Sequence, residues 1–91
     1  MELERFILLL LRKAAIEMLD TGKAPDPEAV RSRIETCVGL YWDDVSQVVL
    51  EADSEKVSVT VTLKGKPVRL EYPHGRILLS DRWLGVKDVG R

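Results

Sequence analysis

The stretch Val57-Ser58-Val59-Thr60-Val61-Thr62-Leu63-Lys64-Gly65-Lys66-Pro67-Val68-Arg69-Leu70-Glu71-Tyr72 decides the fold. Val57, Val59, Val61 and Leu63 alternate with Ser58, Thr60 and Thr62, the period of a strand with one buried and one solvated face. A two-residue turn at Gly65-Lys66, glycine first as type II′ prefers, pairs Lys64 with Pro67. Leu63 then faces Val68, Val61 faces Leu70 and Val59 faces Tyr72, while Thr62 and Thr60 face Arg69 and Glu71. A slip of one residue would set apolar against polar throughout, so the hairpin is well specified.

The flanks extend this pattern. A turn at Asp53-Ser54-Glu55-Lys56 sets Ala52 opposite Val57, Leu50 opposite Val59 and Val48 opposite Val61. On the other side, Pro73-His74-Gly75 reads as a turn that sets Tyr72 opposite Ile77 and Leu70 opposite Leu79. Four strands are expected, near 46–52, 57–63, 67–72 and 76–80, with one apolar face. Residues 43–53 also fit a helix, through Val45, Val48, Val49 and Ala52 behind Asp43-Asp44, which would give the element order of a winged helix. The strand is preferred because valine-rich runs favour β structure and the pairing with 57–63 is good.

Two helices precede the meander. In 2–21, Leu3, Phe6, Ile7, Leu10, Leu11, Ala14 and Met18 form one buried stripe at helical spacing, and Thr21-Gly22 supplies the stop. Leu8, Leu9, Ile16 and Leu19 lie outside that stripe, so this helix is apolar over more than half its circumference. The second helix, 27–38, has Asp26 as cap, Pro27 at its first position and Glu28 in its first turn. Val30, Ile34, Cys37 and Val38 make its apolar face, and Gly39 closes it. The expected architecture is α+β: two N-terminal helices packed on a four-stranded antiparallel meander.

Composition bounds the function. The 91 residues suit one small domain, 45% of them hydrophobic and 32% charged, with a net charge of −1. Residues 1–54 hold eleven acids against six bases, and 55–91 four acids against eight bases. This asymmetry fits halves that complement each other within the fold or between subunits better than nucleic-acid contact, because the bases are scattered. The single cysteine excludes an internal disulfide and points to a reducing, cytoplasmic setting. Glu2 and Glu4 stand where a signal peptide is basic, and the run Phe6–Leu11 is too short to span a bilayer. The absence of Asn, with a single Gln and abundant charge, resembles the composition of proteins from hot environments. Residues 81–91 read as a loosely held tail anchored by Trp83 and Leu84.

No catalytic constellation emerges. His74 at its turn lacks companion ligands and reads as an exposed turn residue. Asp43-Asp44 read as turn or cap carboxylates, since neighbours on a strand point to opposite faces. Cys37 reads as a small core residue, and Ser80-Asp81 as a cap. The glycines form no phosphate-binding loop. No catalytic, cofactor-binding or metal-binding residue is therefore assigned, and no small-molecule substrate or membrane partner is evident. The expected function is protein–protein interaction, as a homo-oligomer or adaptor, through Leu8, Leu9, Ile16, Leu19 and Trp83. Tyr41-Trp42 joins the two halves and reads as core. The alternative is nucleic-acid binding by the basic half, through Lys64, Lys66, Arg69, Arg76 and Arg82.

Overall fold

A computed structural model of the chain describes residues 2–23 and 25–77. Helices α1 (Leu3–Thr21) and α2 (Pro27–Tyr41) are followed by strands β1 (Val45–Ala52), β2 (Lys56–Leu63) and β3 (Lys66–Pro73), then a single turn of helix, α3 (His74–Ile77). The strands form one antiparallel sheet in the order β1-β2-β3. The α+β class is as expected, and residues 45–52 form a strand rather than a helix.

Among the described residues the sheet has three strands, not four. Where a fourth was expected, near 76–80, residues 74–77 turn into α3; residues 78–80 lie outside those described. The His74 backbone N–H still donates to the Glu55 carbonyl at 3.1 Å, one step beyond the β2–β3 ladder. Its imidazole is drawn inward at the same point, so residues 74–77 coil into α3 instead of continuing the ladder.

The β1–β2 register matches the expected one, with Val48 opposite Val61, Leu50 opposite Val59 and Ala52 opposite Val57. The β2–β3 register differs by two residues. Val61 faces Val68, Val59 faces Leu70 and Val57 faces Tyr72. Its turn is Lys64-Gly65, with φ of 53° and 78°, the two positive values of a type I′ turn. The reason lies in Pro67. Pairing Lys64 with Pro67 across a two-residue turn would require the proline to donate the closing hydrogen bond, and it has no N–H. The observed register places Pro67 opposite Thr62, where no donor toward β2 is needed, and a two-residue shift leaves every side chain on its face.

The same alternation fixes both sheet edges. On β3 the outward backbone positions are 67, 69, 71 and 73, two of them prolines. On β1 they are 48, 50 and 52, and the Val48 carbonyl accepts from Arg31 Nη1 of α2 at 3.4 Å.

Val57, Val59 and Val61 of β2 and Tyr72 of β3 are fully buried against Ile7, Leu11, Ala14 and Ala15 of α1 and Val30, Ile34 and Val38 of α2. Fully burying one such aliphatic side chain contributes about 1.5–3 kcal/mol. α2 packs along β1, while α1 has α2 on one flank and α3 on the other. The Tyr72 hydroxyl donates to the Glu4 carbonyl at 2.8 Å and ties the start of α1 to the end of β3. Leu3, Phe6, Leu10 and Met18 are half-buried against this core.

Cap chemistry sets the helix ends, with one exception. Gly22 takes the left-handed conformation (φ 74°) and donates to Met18 O at 2.8 Å, ending α1. The Asp26 side chain accepts from Glu28 N at 3.2 Å, opening α2 behind Pro27. Gly39, however, does not end α2; the helix continues to Tyr41, where the Trp42 N–H donates to Val38 O at 2.9 Å. Among the described residues no helix is long and apolar enough to cross a membrane.

A lysine at φ 53° is strained where asparagine is tolerated. Replacing Lys64 with Asn is therefore expected to stabilise the fold by about 0.5 kcal/mol. Urea denaturation checks this, and a loss of stability would contradict the turn geometry.

Candidate interaction surfaces

On a helix, residues seven apart share a face. Leu9 and Ile16 do so on the side of α1 away from the sheet, and they are 52% and 56% exposed. Leu19, at 63%, lies toward the flank that faces α3. Leu8 departs from expectation. It belongs to the buried core, because it sits about 100° from Leu9, on the flank that turns under toward α3. Trp83 lies outside the described residues.

Two residues escaped the sequence reading. Leu40 and Tyr41 are each 72% exposed at the end of α2. With the helix closed at residue 38 they would have been loop; on a helix running to Tyr41, Leu40 lies about 200° around from the buried Val38. Tyr41, expected in the core with Trp42, stands edge-on to Phe6 at 5.4 Å between ring centres, and Trp42 tilts against the same ring at 5.1 Å. Phe6 is three residues from Leu9 on α1. Leu40, Tyr41, Phe6, Leu9 and Ile16 thus run as one apolar band across the helical layer.

Most of the expected basic residues do not form a phosphate track. Arg69 is held by Glu71 at 3.1 Å and Glu51 at 3.7 Å, and also donates to Ser58 Oγ at 3.2 Å. Hydrogen bonds from Arg69, then from Lys56, hold the Glu71 carboxyl below its usual range. Lys64 in the β2–β3 turn and Lys66 just after it stand at the opposite end of β3 from Arg76. Arg76 stands over the Tyr72 ring, its guanidinium carbon 5.9 Å from the ring centre. Arg82 lies outside the described residues.

His74 is not an exposed turn residue. It is 5% exposed, and its Nε2 lies 2.6 Å from the Asp53 carbonyl oxygen, linking α3 to the β1–β2 turn. That turn is itself built on Asp53, whose carboxylate accepts from the N–H groups of Glu55 and Lys56 at 2.7 and 2.8 Å. Those two bonds hold its carboxyl below the usual range. Cys37, expected in the core, is only half-buried. Asp43 and Asp44 are exposed, and the Asp44 carbonyl accepts from Lys64 N at 3.0 Å. Among the described residues no group of three or more His, Cys, Asp or Glu side chains is placed to hold a metal ion.

Burial, and secondarily the charge of Glu4, pushes the Tyr72 hydroxyl up to about 12, with Arg76 opposing. The folded state therefore prefers the neutral phenol. Its contribution is complete below the ordinary value of 10.0 and is lost as pH rises toward 12. Tyr72→Phe is expected to cost about 1 kcal/mol at neutral pH, from the lost hydrogen bond to Glu4. The gap between wild type and variant should then close and reverse in sign between pH 10 and 12, read from urea denaturation across that range. His74→Ala is expected to destabilise by about 1–3 kcal/mol, since it empties a buried site and leaves the Asp53 carbonyl without its imidazole partner. Unchanged thermal unfolding would refute that role. Comparison with protein-family models, characterised proteins and solved structures gave no match to this chain.

Proposed function

We propose that this chain is a non-enzymatic association module that binds protein, in the first place a second copy of itself, through the outward face of α1. The observation that carries this reading is the exposure of Leu9 and Ile16, each more than half accessible on one helix face. The band from Leu40 through Tyr41 and Phe6 enlarges the surface, and tyrosine at the margin of an apolar patch is a common interface anchor. Covering side chains already half buried recovers about 1 kcal/mol for each.

A two-fold pairing of antiparallel α1 helices would set Leu9 of one chain beside Ile16 of the other. Lys13, exposed between them, would then approach its own copy near the axis. Like charges at that point weaken the pairing at low ionic strength, so self-association should tighten as salt rises.

Sedimentation velocity over a hundredfold dilution tests the reading on wild type and on Leu9→Glu with Ile16→Glu. Wild type is expected to show a mass that rises with concentration, and the double variant to remain a folded monomer by circular dichroism. Wild type that stays monomeric at every concentration and salt level would rule out self-association.

A further inference from the structure

The six described arginines fall into two sets. Arg31 is paired with Glu28 and Glu35, Arg33 with Glu17, and Arg69 with Glu51 and Glu71. Arg5, Arg12 and Arg76 form no ion pair with any described residue, and all three line one cleft of about 400 Å³ between α1 and α3. Leu8 and Leu9 also line it, and among the described residues no carboxylate does. Two of the guanidinium groups are held in place. Arg12 donates through Nε and Nη2 to the Arg76 carbonyl at 3.1 and 3.0 Å, and the Arg76 guanidinium lies over the Tyr72 ring. Three positive groups around an apolar floor repel one another until an anion joins them. In a chain with more acids than bases, three guanidinium groups that pair with no described carboxylate are a local feature of this cleft.

We infer that the cleft between α1 and α3 binds an acidic peptide segment of a partner protein. Its carboxylates pair with Arg5, Arg12 and Arg76, and an aliphatic side chain of the same segment rests on Leu8 and Leu9. The planar fork of a guanidinium matches a carboxylate with two parallel hydrogen bonds. Peptide is favoured over nucleic acid on two grounds. No described aromatic residue lines the cleft, and Tyr72, under the Arg76 guanidinium, is fully buried and so cannot stack on a base. The hairpin lysines Lys64 and Lys66, which would have to extend a phosphate track toward the sheet, lie at the far end of β3. This inference goes beyond self-association of α1, and only Leu9 is common to the two surfaces.

Fluorescence anisotropy on the full chain tests it, with a fluorescein-labelled peptide of mixed aspartate, glutamate and leucine and a control peptide carrying lysine in place of the acids. The acidic peptide alone is expected to bind, and to weaken about tenfold on going from low to high salt, opposite to the trend for α1 pairing. Arg5→Gln with Arg76→Gln, both at exposed positions, should lower affinity at least about tenfold while the circular dichroism spectrum stays that of the folded chain. Lys64→Gln with Lys66→Gln should leave it unaltered. Absence of binding, or binding indifferent to the arginine pair, would overturn the inference. Tighter binding of a thymidine oligonucleotide would transfer the cleft to nucleic acid. Binding that emerges only in the full chain carrying Asp81→Asn and Trp83→Ala would assign the cleft to the chain's own C-terminal segment, and so also overturn it. A chain that still dimerises in sedimentation but ignores the peptide loses the cleft and keeps the α1 interface.

Discussion

The row of Val57, Val59 and Val61 along the central strand is the constraint on which the other elements depend. These valines have no exposed surface, and their strand neighbours Val48, Leu50, Leu70 and Tyr72 extend the same face on either side. A sheet with one apolar face must be covered, and three strands present more width than one helix can cover. α2 therefore lies along β1, and α1 packs beside it and reaches toward β3. The hydroxyl of Tyr72 is the one polar atom of that face placed to anchor α1, and it does so through the Glu4 carbonyl. Once Ile7, Leu11, Ala14 and Ala15 are committed to the sheet, the remaining aliphatic residues of α1 have nowhere to go but outward. The exposed band is a by-product of a greasy helix on a narrow sheet, and it supplies the surface on which the proposed function rests.

Charge is organised more locally than its distribution along the sequence suggests. An acidic first half and a basic second half would complement each other if they met, yet among the described residues Glu51–Arg69 is the only ion pair between them. The remaining pairs form within each half, between helix neighbours, between the two helices, or on the open face of the sheet. Exposed pairs of this kind contribute at most about 1 kcal/mol each. Their main effect is to neutralise the arginines they involve, which leaves the cleft beside α3 as the place where, among the described residues, guanidinium groups without a carboxylate partner gather.

How much of this was legible follows from which residues carry local rules. Period-two alternation identified β2 and β3, and the Asp26-Pro27 and Gly22 signals located helix ends, because those preferences act within a few residues. The β2–β3 register was read two residues out, because facing alternation cannot distinguish even shifts; the missing N–H of Pro67 does. Gly39 was read as a stop because glycine permits one, but permission is not requirement, and the interaction of Tyr41 with Phe6 from another helix prolongs α2. That contact also brought Leu40 and Tyr41 to the surface unannounced. His74 looked like a turn residue from its neighbours Pro73 and Gly75; its burial depends on the Asp53 carbonyl, more than twenty positions away in sequence and invisible to any local window. The convergence of Arg5 and Arg12 with Arg76 is likewise a product of α3 folding back against α1.

The two borders of the sheet are unlike. Pro67 and Pro73 leave β3 with gaps in its outward row of donors, whereas β1 presents uninterrupted peptide groups apart from the Val48 carbonyl that Arg31 occupies. Stacking of strands without limit, as in a fibril, needs two competent borders on every copy. Here any strand added beside β1 meets a chain whose far border cannot pass the pairing on, so growth by this route terminates after a single addition. Pro67, which sets the hairpin register, thus joins Pro73 in making the sheet a poor seed for its own aggregation.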